Sequence, residues 1–249
     1  MNVLILAAGY ATRLYPLTLN KAKPLLEIAG KPMIERIIEQ LGAVPDLGTI
    51  YVVTNAKFAA QFEDWANRLQ KQSPETRIKI INDGSTNDAD KLGAIGDINL
   101  VVTKAGLGDE DLIVIAGDNL FTEPLGSFVK YTRGKEAVVA VFDVGSLEAM
   151  KKYASVTLND SGVITRFQEK PQNPESTLAA LALYYYSRTV LPFIQNYLSE
   201  GNNPDQPGRF LEWLYTRKPV NTFEIKGQWL DIGSKETLEE ADRLFRKAG

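Results

Sequence analysis

Six charged side chains, spread over four short segments, are the groups here whose type and setting could carry chemistry. The first segment is Leu6-Ala7-Ala8-Gly9-Tyr10-Ala11-Thr12-Arg13-Leu14, followed by Lys21-Ala22-Lys23-Pro24. Its small residues allow backbone N–H groups, those of Ala8 and Gly9 in particular, to approach the oxygens of an anion. Arg13 would add a bidentate grip and Lys23 a compact point charge. The plain alternative is a solvated turn carrying two surface cations. The second segment is Leu112-Ile113-Val114-Ile115-Ala116-Gly117-Asp118-Asn119, where Asp118 follows a buried apolar run and is well placed to ligate a metal. An aspartate there is also an ordinary turn former. The third, Trp229-Leu230-Asp231-Ile232-Gly233, offers Asp231, which could equally cap the helix that follows. The fourth is Gln168-Glu169-Lys170-Pro171, whose Glu169–Lys170 pair would ordinarily be a solvated edge.

Composition removes several chemistries. The 249 residues include no cysteine and no histidine, so disulfides, zinc sites, thiol nucleophiles and histidine bases are all excluded. A metal would have to be a hard cation on carboxylate and phosphate oxygen, with Mg²⁺ the leading candidate. Neither G-x-x-x-x-G-K-[ST] nor G-x-G-x-x-G occurs after the first strand, which argues against a P-loop kinase or a dinucleotide enzyme. The net charge of -3 argues against non-specific nucleic-acid binding, which needs a basic surface. No basic leader precedes the first apolar run, and no run approaches the ~20 residues that span a bilayer. A cytoplasmic protein without a membrane partner is expected.

The elements that must position these groups follow from apolar patterning. Val3–Leu6, Ile50–Val53, Ile78–Ile81, Leu112–Ile115 and Ala137–Phe142 read as buried strands, and the segments near Pro32–Leu41, Phe58–Leu69 and Leu92–Val102 as the helices between them. This alternation predicts an α/β fold, Rossmann-like and layered α/β/α, with a mainly parallel central sheet. Beyond about residue 150 the pattern turns β-rich. Tyr153–Leu158 and Val163–Gln168 flank Asn159-Asp160-Ser161-Gly162, a hairpin signal. Then follow a strand at Leu181–Tyr186, a helix at Arg188–Leu198, a loop at Glu200–Gly208, a helix over 209–216, a strand at Val220–Ile225 and a closing helix at Lys235–Arg246. A single domain over 1–249 is expected, with a half spanning 1–150 and a second, 151–249, added as a cap on the same sheet.

The front loop resembles the signature of the sugar-nucleotide pyrophosphorylases, or sugar-phosphate nucleotidyltransferases: L-A-A-G-x-G-T-R-L-x-P-L-T followed by K-P. Leu14-Tyr15-Pro16-Leu17-Thr18 and Lys23-Pro24 match, and the departure is Ala11, where the pattern has glycine. The resemblance implies an enzyme that joins a nucleoside triphosphate to a sugar 1-phosphate and releases pyrophosphate. It implies that Asp118 and Asp231 hold Mg²⁺, that Leu6, Ala7, Ala8, Gly9 and Asp118 line the nucleotide, and that Arg13, Lys23 and Lys170 act catalytically. It further implies that Glu169 binds sugar hydroxyls and Lys170 the sugar phosphate, and, more loosely, that Asn82 and Gly93 read the base. The Tyr153-Ala154-Ser155 segment matches the family's Y-G-V poorly. That mismatch keeps open a cytidylyltransferase acting on a non-sugar phosphate, and the Ala11 departure keeps open a catalytically silent relative that binds nucleotide sugars and regulates a partner. The C-terminal β-helix that some relatives carry is not expected here. The base, the sugar and association with further copies of the chain are not specified.

Overall fold

The strongest apolar runs form the strands, and the amphipathic stretches between them form helices. The structure is a computed structural model that describes residues 1–247. In chain order come β1 (Asn2–Leu6), the two-residue strands β2 (Glu27–Ile28) and β3 (Lys31–Pro32), α1 (Met33–Leu41), β4 (Ile50–Thr54), α2 (Ala59–Gln72), β5 (Ile78–Asn82), α3 (Ala94–Ala105), β6 (Leu112–Ala116), β7 (Asn119–Phe121), α4 (Gly126–Thr132) and β8 (Ala137–Asp143). Next are α5 (Leu147–Met150), β9 (Ala154–Leu158), β10 (Ile164–Glu169), β11 (Leu178–Tyr186), α6 (Leu191–Ser199), α7 (Pro207–Leu214), β12 (Val220–Glu224), β13 (Trp229–Asp231) and α8 (Lys235–Lys247).

The chain forms two compact units, each assembled from discontinuous stretches. The first comprises 1–91, 115–126 and 227–249; the second comprises 92–114 and 127–226. In the first unit β1, β4 and β5 run parallel, with Val3 opposite Ile50 and Ile50 opposite Ile78. Val3, Leu4 and Ile5 are fully buried, as is all of β4, which accounts for the lack of polar alternation in both runs. The helix α1 buries Met33, Ile34, Ile37 and Leu41, an i, i+1, i+4, i+8 stripe. Phe62 and Trp65 of α2 meet edge to face at 6.2 Å, and the Trp65 indole donates to Glu35 at 2.9 Å. Each such buried aliphatic or aromatic side chain contributes roughly 1.5–3 kcal/mol by leaving water.

The second unit carries the β-rich part. In it β11 pairs antiparallel with β8 and with β9, β9 pairs antiparallel with β10, and β12 runs parallel to β8. Asn159 Oδ1 accepts the N–H groups of Ser161 and Val163 and closes the expected hairpin.

Several boundaries differ from the sequence expectation. The helix expected from Leu92 begins at Ala94, because Gly93 lies at φ +77 and ends the helical path. That expected from Arg188 begins at Leu191, after a turn in which Val190 and Leu191 both donate to Ser187 O. The loop expected to run to Gly208 stops sooner, since Pro207 starts α7. The strand expected at Leu181 starts at Leu178, where pairing to Asp143 overrides weak local propensity. The short elements α4, β7 and β13 carry no sequence signal of their own. No helix among the described residues is long and apolar enough to cross a membrane.

Candidate functional site

Four of the six charged candidates, together with the front-loop residues and Asn82, lie in the first unit. The front loop leaves β1 with Ala7 N–H donating to Val53 O at 2.9 Å, so Ala7 is held against β4. Asn55, fully buried, donates its side-chain amide to Ala8 O at 2.8 Å and caps the Phe58 N–H with its oxygen. Those bonds fix the carbonyl side of the loop. Among the described residues the Ala8 and Gly9 N–H groups have no protein acceptor, and Ala8 is only 7% exposed. Gly9 is exposed, and N–H groups left without a protein acceptor in a loop of small residues are available to an anion. Arg13 stands exposed in the 3₁₀ turn Thr12–Leu14 beside it.

Ala11 has φ 48 and ψ 43, in the left-handed region. The family glycine is thus replaced where its conformation is required, not merely where space is short. Buried Thr18 holds the strained residue by donating to Ala11 O at 2.8 Å. A left-handed alanine costs about 1–2 kcal/mol, part of which a glycine would lose again to backbone entropy. Ala11→Gly should therefore raise stability by about 0.5–1 kcal/mol, which for a chain of this size means a rise of a few degrees in Tm. An unchanged or lower Tm in a thermal scan would show that Thr18 and its neighbours have relieved the strain.

Lys23 opens the second 3₁₀ turn, and its ammonium lies 2.7 Å from Asp118 Oδ2. The lysine side chain is 11% exposed and the aspartate 33%, so solvent screens this ion pair only partly. Gly117 explains how the segments come together. A methyl group there would stand 2.9 Å from Leu6 O and 3.0 Å from Pro24 Cγ, so only glycine allows this approach. The Gly117 N–H also donates to Leu6 O at 2.8 Å.

Asp231 joins Asp118 through the two short unpredicted strands. β13 pairs antiparallel with β7, Asp231 faces Asn119 in the ladder, and Ile232 N–H donates to Asp118 O at 3.0 Å. The two aspartates from distant segments thus emerge one ladder step apart. The set is all oxygen, and Asp118 Oδ2 already holds one cationic group, features that suit a hard divalent ion. Asn82 ends β5 in the same unit, exposed, with its side-chain oxygen accepting Gly84 N–H at 2.8 Å in a tight turn.

The other predicted groups lie in the second unit. Glu169 ends β10 opposite Ala154, and Lys170 N–H donates to Tyr153 O at 3.1 Å. The poorly matching segment Tyr153-Ala154-Ser155 therefore lies directly across the hairpin from Gln168-Glu169-Lys170. Lys170 is exposed and has φ 47, a left-handed lysine immediately before a proline. Glu169 Oε2 would stand 2.7 Å from a methyl group on Gly208, so the first turn of α7 presses its backbone on the carboxylate. Burial pushes the Glu169 carboxyl above its ordinary 4.5, while Lys170 and Arg209 pull it down. A carboxyl raised in the fold favours the native state below its unfolded pKa and loses that contribution as pH rises through the folded value. Glu169→Gln should thus gain stability relative to the wild type as pH rises from about 4 to 7. Denaturant melts showing a gap that is flat in pH would contradict the burial effect.

Gly93, also in this unit, lies at φ +77 under the Pro204–Asp205 backbone, 2.7 Å from where a Cβ would sit. Ala94 and Ile95 N–H groups donate to Asp205 O and Pro204 O. A packing role for Gly93 is thus visible.

The nucleotidyl transferase family profile matches residues 2–247. The chain belongs to the nucleotidyl transferase family. Among relatives, the bifunctional protein GlmU of Methanocaldococcus jannaschii is 28% identical over 98% of this chain and 54% of its own length. The UTP–glucose-1-phosphate uridylyltransferase AglF of Haloferax volcanii is 28% identical over 99% of this chain and 97% of its own. The Drosophila melanogaster mannose-1-phosphate guanylyltransferase catalytic subunit beta is 28% identical over 93% of the chain. The chain spans only 54% and 59% of the GlmU and Drosophila proteins. In fold it resembles a Bacillus anthracis putative glucose-1-phosphate thymidylyltransferase solved with sucrose, at TM-score 0.85, 22% identity, 99% of this chain and 95% of that one. A UDP-glucose pyrophosphorylase solved with UDP-glucose gives TM-score 0.82 at 23% identity, over 100% and 99% of the two chains. The fold class is accordingly the expected one, mixed α/β with a mainly parallel central sheet.

In this nucleotidyl transferase the sequence motifs leave several supporting residues unmarked. Asn55 and Thr18 brace the front loop; Asn119 and Trp229 brace Asp118; Gly208 faces Glu169. Thr18 stands inside the front-loop motif, Asn119 beside Asp118 and Trp229 inside the motif of Asp231, whereas Asn55 and Gly208 carry no such signal.

Proposed function

We propose that this protein joins a nucleoside triphosphate to a sugar 1-phosphate, giving a nucleotide sugar and pyrophosphate. The observation that carries the reading is the gathering of Lys23, Asp118 and Asp231 beside the front loop with its unpartnered N–H groups. A phosphate oxygen of the sugar 1-phosphate attacks the α-phosphorus as the bond to the departing pyrophosphate breaks, with no covalent enzyme intermediate. Such a reaction depends on positioning and on neutralising two anions.

In this reading the first unit serves the nucleotide. Leu6 to Gly9 line the triphosphate, the Ala8 and Gly9 N–H groups hold its oxygens, and Arg13 and Lys23 offset its charge. Asn82 and Gly93 are the residues assigned to the base. Asp118 and Asp231 would hold a magnesium ion, which would supply further positive charge to offset the phosphates. The second unit serves the acceptor, with Glu169 accepting from sugar hydroxyls and Lys170 binding the sugar phosphate. A cytoplasmic setting, where triphosphates and Mg²⁺ abound, accompanies this reading.

The test is a pyrophosphate-release assay crossing nucleoside triphosphates with sugar 1-phosphates and phosphorylated alcohols. Turnover confined to sugar 1-phosphates is expected. Preference for a phospho-alcohol would overturn the acceptor assignment, and no turnover with any pair would overturn the enzymatic one.

A further inference from the structure

The carboxylate of Asp118 is held differently at its two oxygens. Oδ2 faces the Lys23 ammonium at 2.7 Å, a partner on a flexible stem. Oδ1 accepts from Asn119 Nδ2 at 3.0 Å, and Asn119 Oδ1 in turn accepts from the Trp229 indole N–H at 2.7 Å. The indole can only donate, so it compels the Asn119 amide to turn its oxygen toward Trp229 and its NH₂ toward Asp118. Asn119 is 5% exposed and sits on β7, while Trp229 sits on β13, two residues before Asp231. One ladder therefore carries both aspartates and the pair of side chains that orients one of them.

We propose that Trp229 and Asn119 are positioning residues: they pin Asp118 Oδ1 and leave Oδ2 as the oxygen that exchanges the Lys23 ammonium for a divalent cation. A carboxylate fixed at one oxygen keeps its second lone-pair direction aimed at a constant place, and the exchangeable lysine covers its charge until the cation arrives. Partners of this kind, one shell out from a metal, are worth about 10–100-fold in metal affinity. The proposal rests on the reading of Asp118 as a metal ligand.

The experiment measures Mn²⁺ binding by the loss of the free-ion electron paramagnetic resonance signal beyond that caused by the same nucleotide without protein, for wild type, Trp229→Phe, Asn119→Ala and the double variant. Trp229→Phe removes the N–H and keeps a large aromatic ring. We expect Mn²⁺ affinity to fall about 10-fold or more in each single variant and the double variant to be no weaker than Asn119→Ala alone, because the indole acts through the amide. Independent, additive losses would overturn the relay, as would wild-type affinity in Trp229→Phe. Wild-type protein that takes up no Mn²⁺ would instead defeat the metal reading itself. Thermal melts of each variant separate a loss of fold from a loss of orientation. If Trp229→Phe does not fold, the comparison of Asn119→Ala with Asn119→Ser decides, the relay requiring both to lose affinity.

Discussion

Asp118→Asn should lower the rate of pyrophosphate release by about 10²-fold or more, the scale of removing one preorganised electrostatic group from a transition state that concentrates charge. The substitution keeps the shape of the side chain. Asn119 can still donate to the remaining amide oxygen, and the Ile232 N–H still reaches the residue 118 carbonyl, so the β7–β13 ladder is preserved. What disappears is the negative charge that Lys23 faces at 2.7 Å. The Lys23 side chain is only 11% exposed and would lose its counter-charge, so the substitution should cost about 1–3 kcal/mol of stability. A large fall in turnover with a melt lowered by only a few degrees is therefore the expected combination. Near-normal turnover would remove Asp118, and with it the shared cation, from the mechanism.

Lys170 should show the opposite movement of activity and stability. Its φ of 47 is costly for a side chain with a Cβ, and the following Pro171 restricts the residue further. Residues held in such conformations cost of order 1–3 kcal/mol and cluster where function demands them. Lys170→Gly should consequently stabilise the fold by about 1 kcal/mol while lowering kcat/KM for the sugar 1-phosphate by about 10²-fold, and the KM for the nucleotide should stay close to normal. Lys170→Ala should lose the same activity without the gain in stability, since alanine inherits the strain. If both variants retain wild-type acceptor kinetics, Lys170 is an ordinary surface lysine. If only the stability gain is missing, the backbone at 170 is relaxed.

Much of this molecule was legible before any coordinates. Val3–Leu6 and Ile50–Val53 are apolar without alternation because both faces are covered, and period and polarity alone identify them as interior strands. The absence of cysteine and histidine restricted the chemistry to carboxylates, ammonium and guanidinium groups, and backbone dipoles. The front loop stands out in the sequence as a candidate anion site because small residues after a strand can leave N–H groups accessible. These are local properties, and a local string encodes them.

Nonlocal pairing decided the rest. Asp118 and Asp231 are 113 positions apart by number, and nothing in either segment says that three-residue strands will place them one step apart. Strands so short have almost no propensity of their own and form only because the partner and the surrounding core are already in place. Whether Ala11 was harmless or strained depended on a backbone angle that the Thr18 hydroxyl and the packed loop impose, not on the alanine itself. The orientation of Asp118 depended on an indole that must donate and an amide that must turn to receive it. The sequence by itself determined which groups could react and which segments would be strands and helices, since side-chain chemistry and periodicity are carried residue by residue. Tertiary structure alone decided which carboxylates share a neighbourhood and which way they face, because those facts belong to pairs of residues that only the folded backbone brings within hydrogen-bond distance.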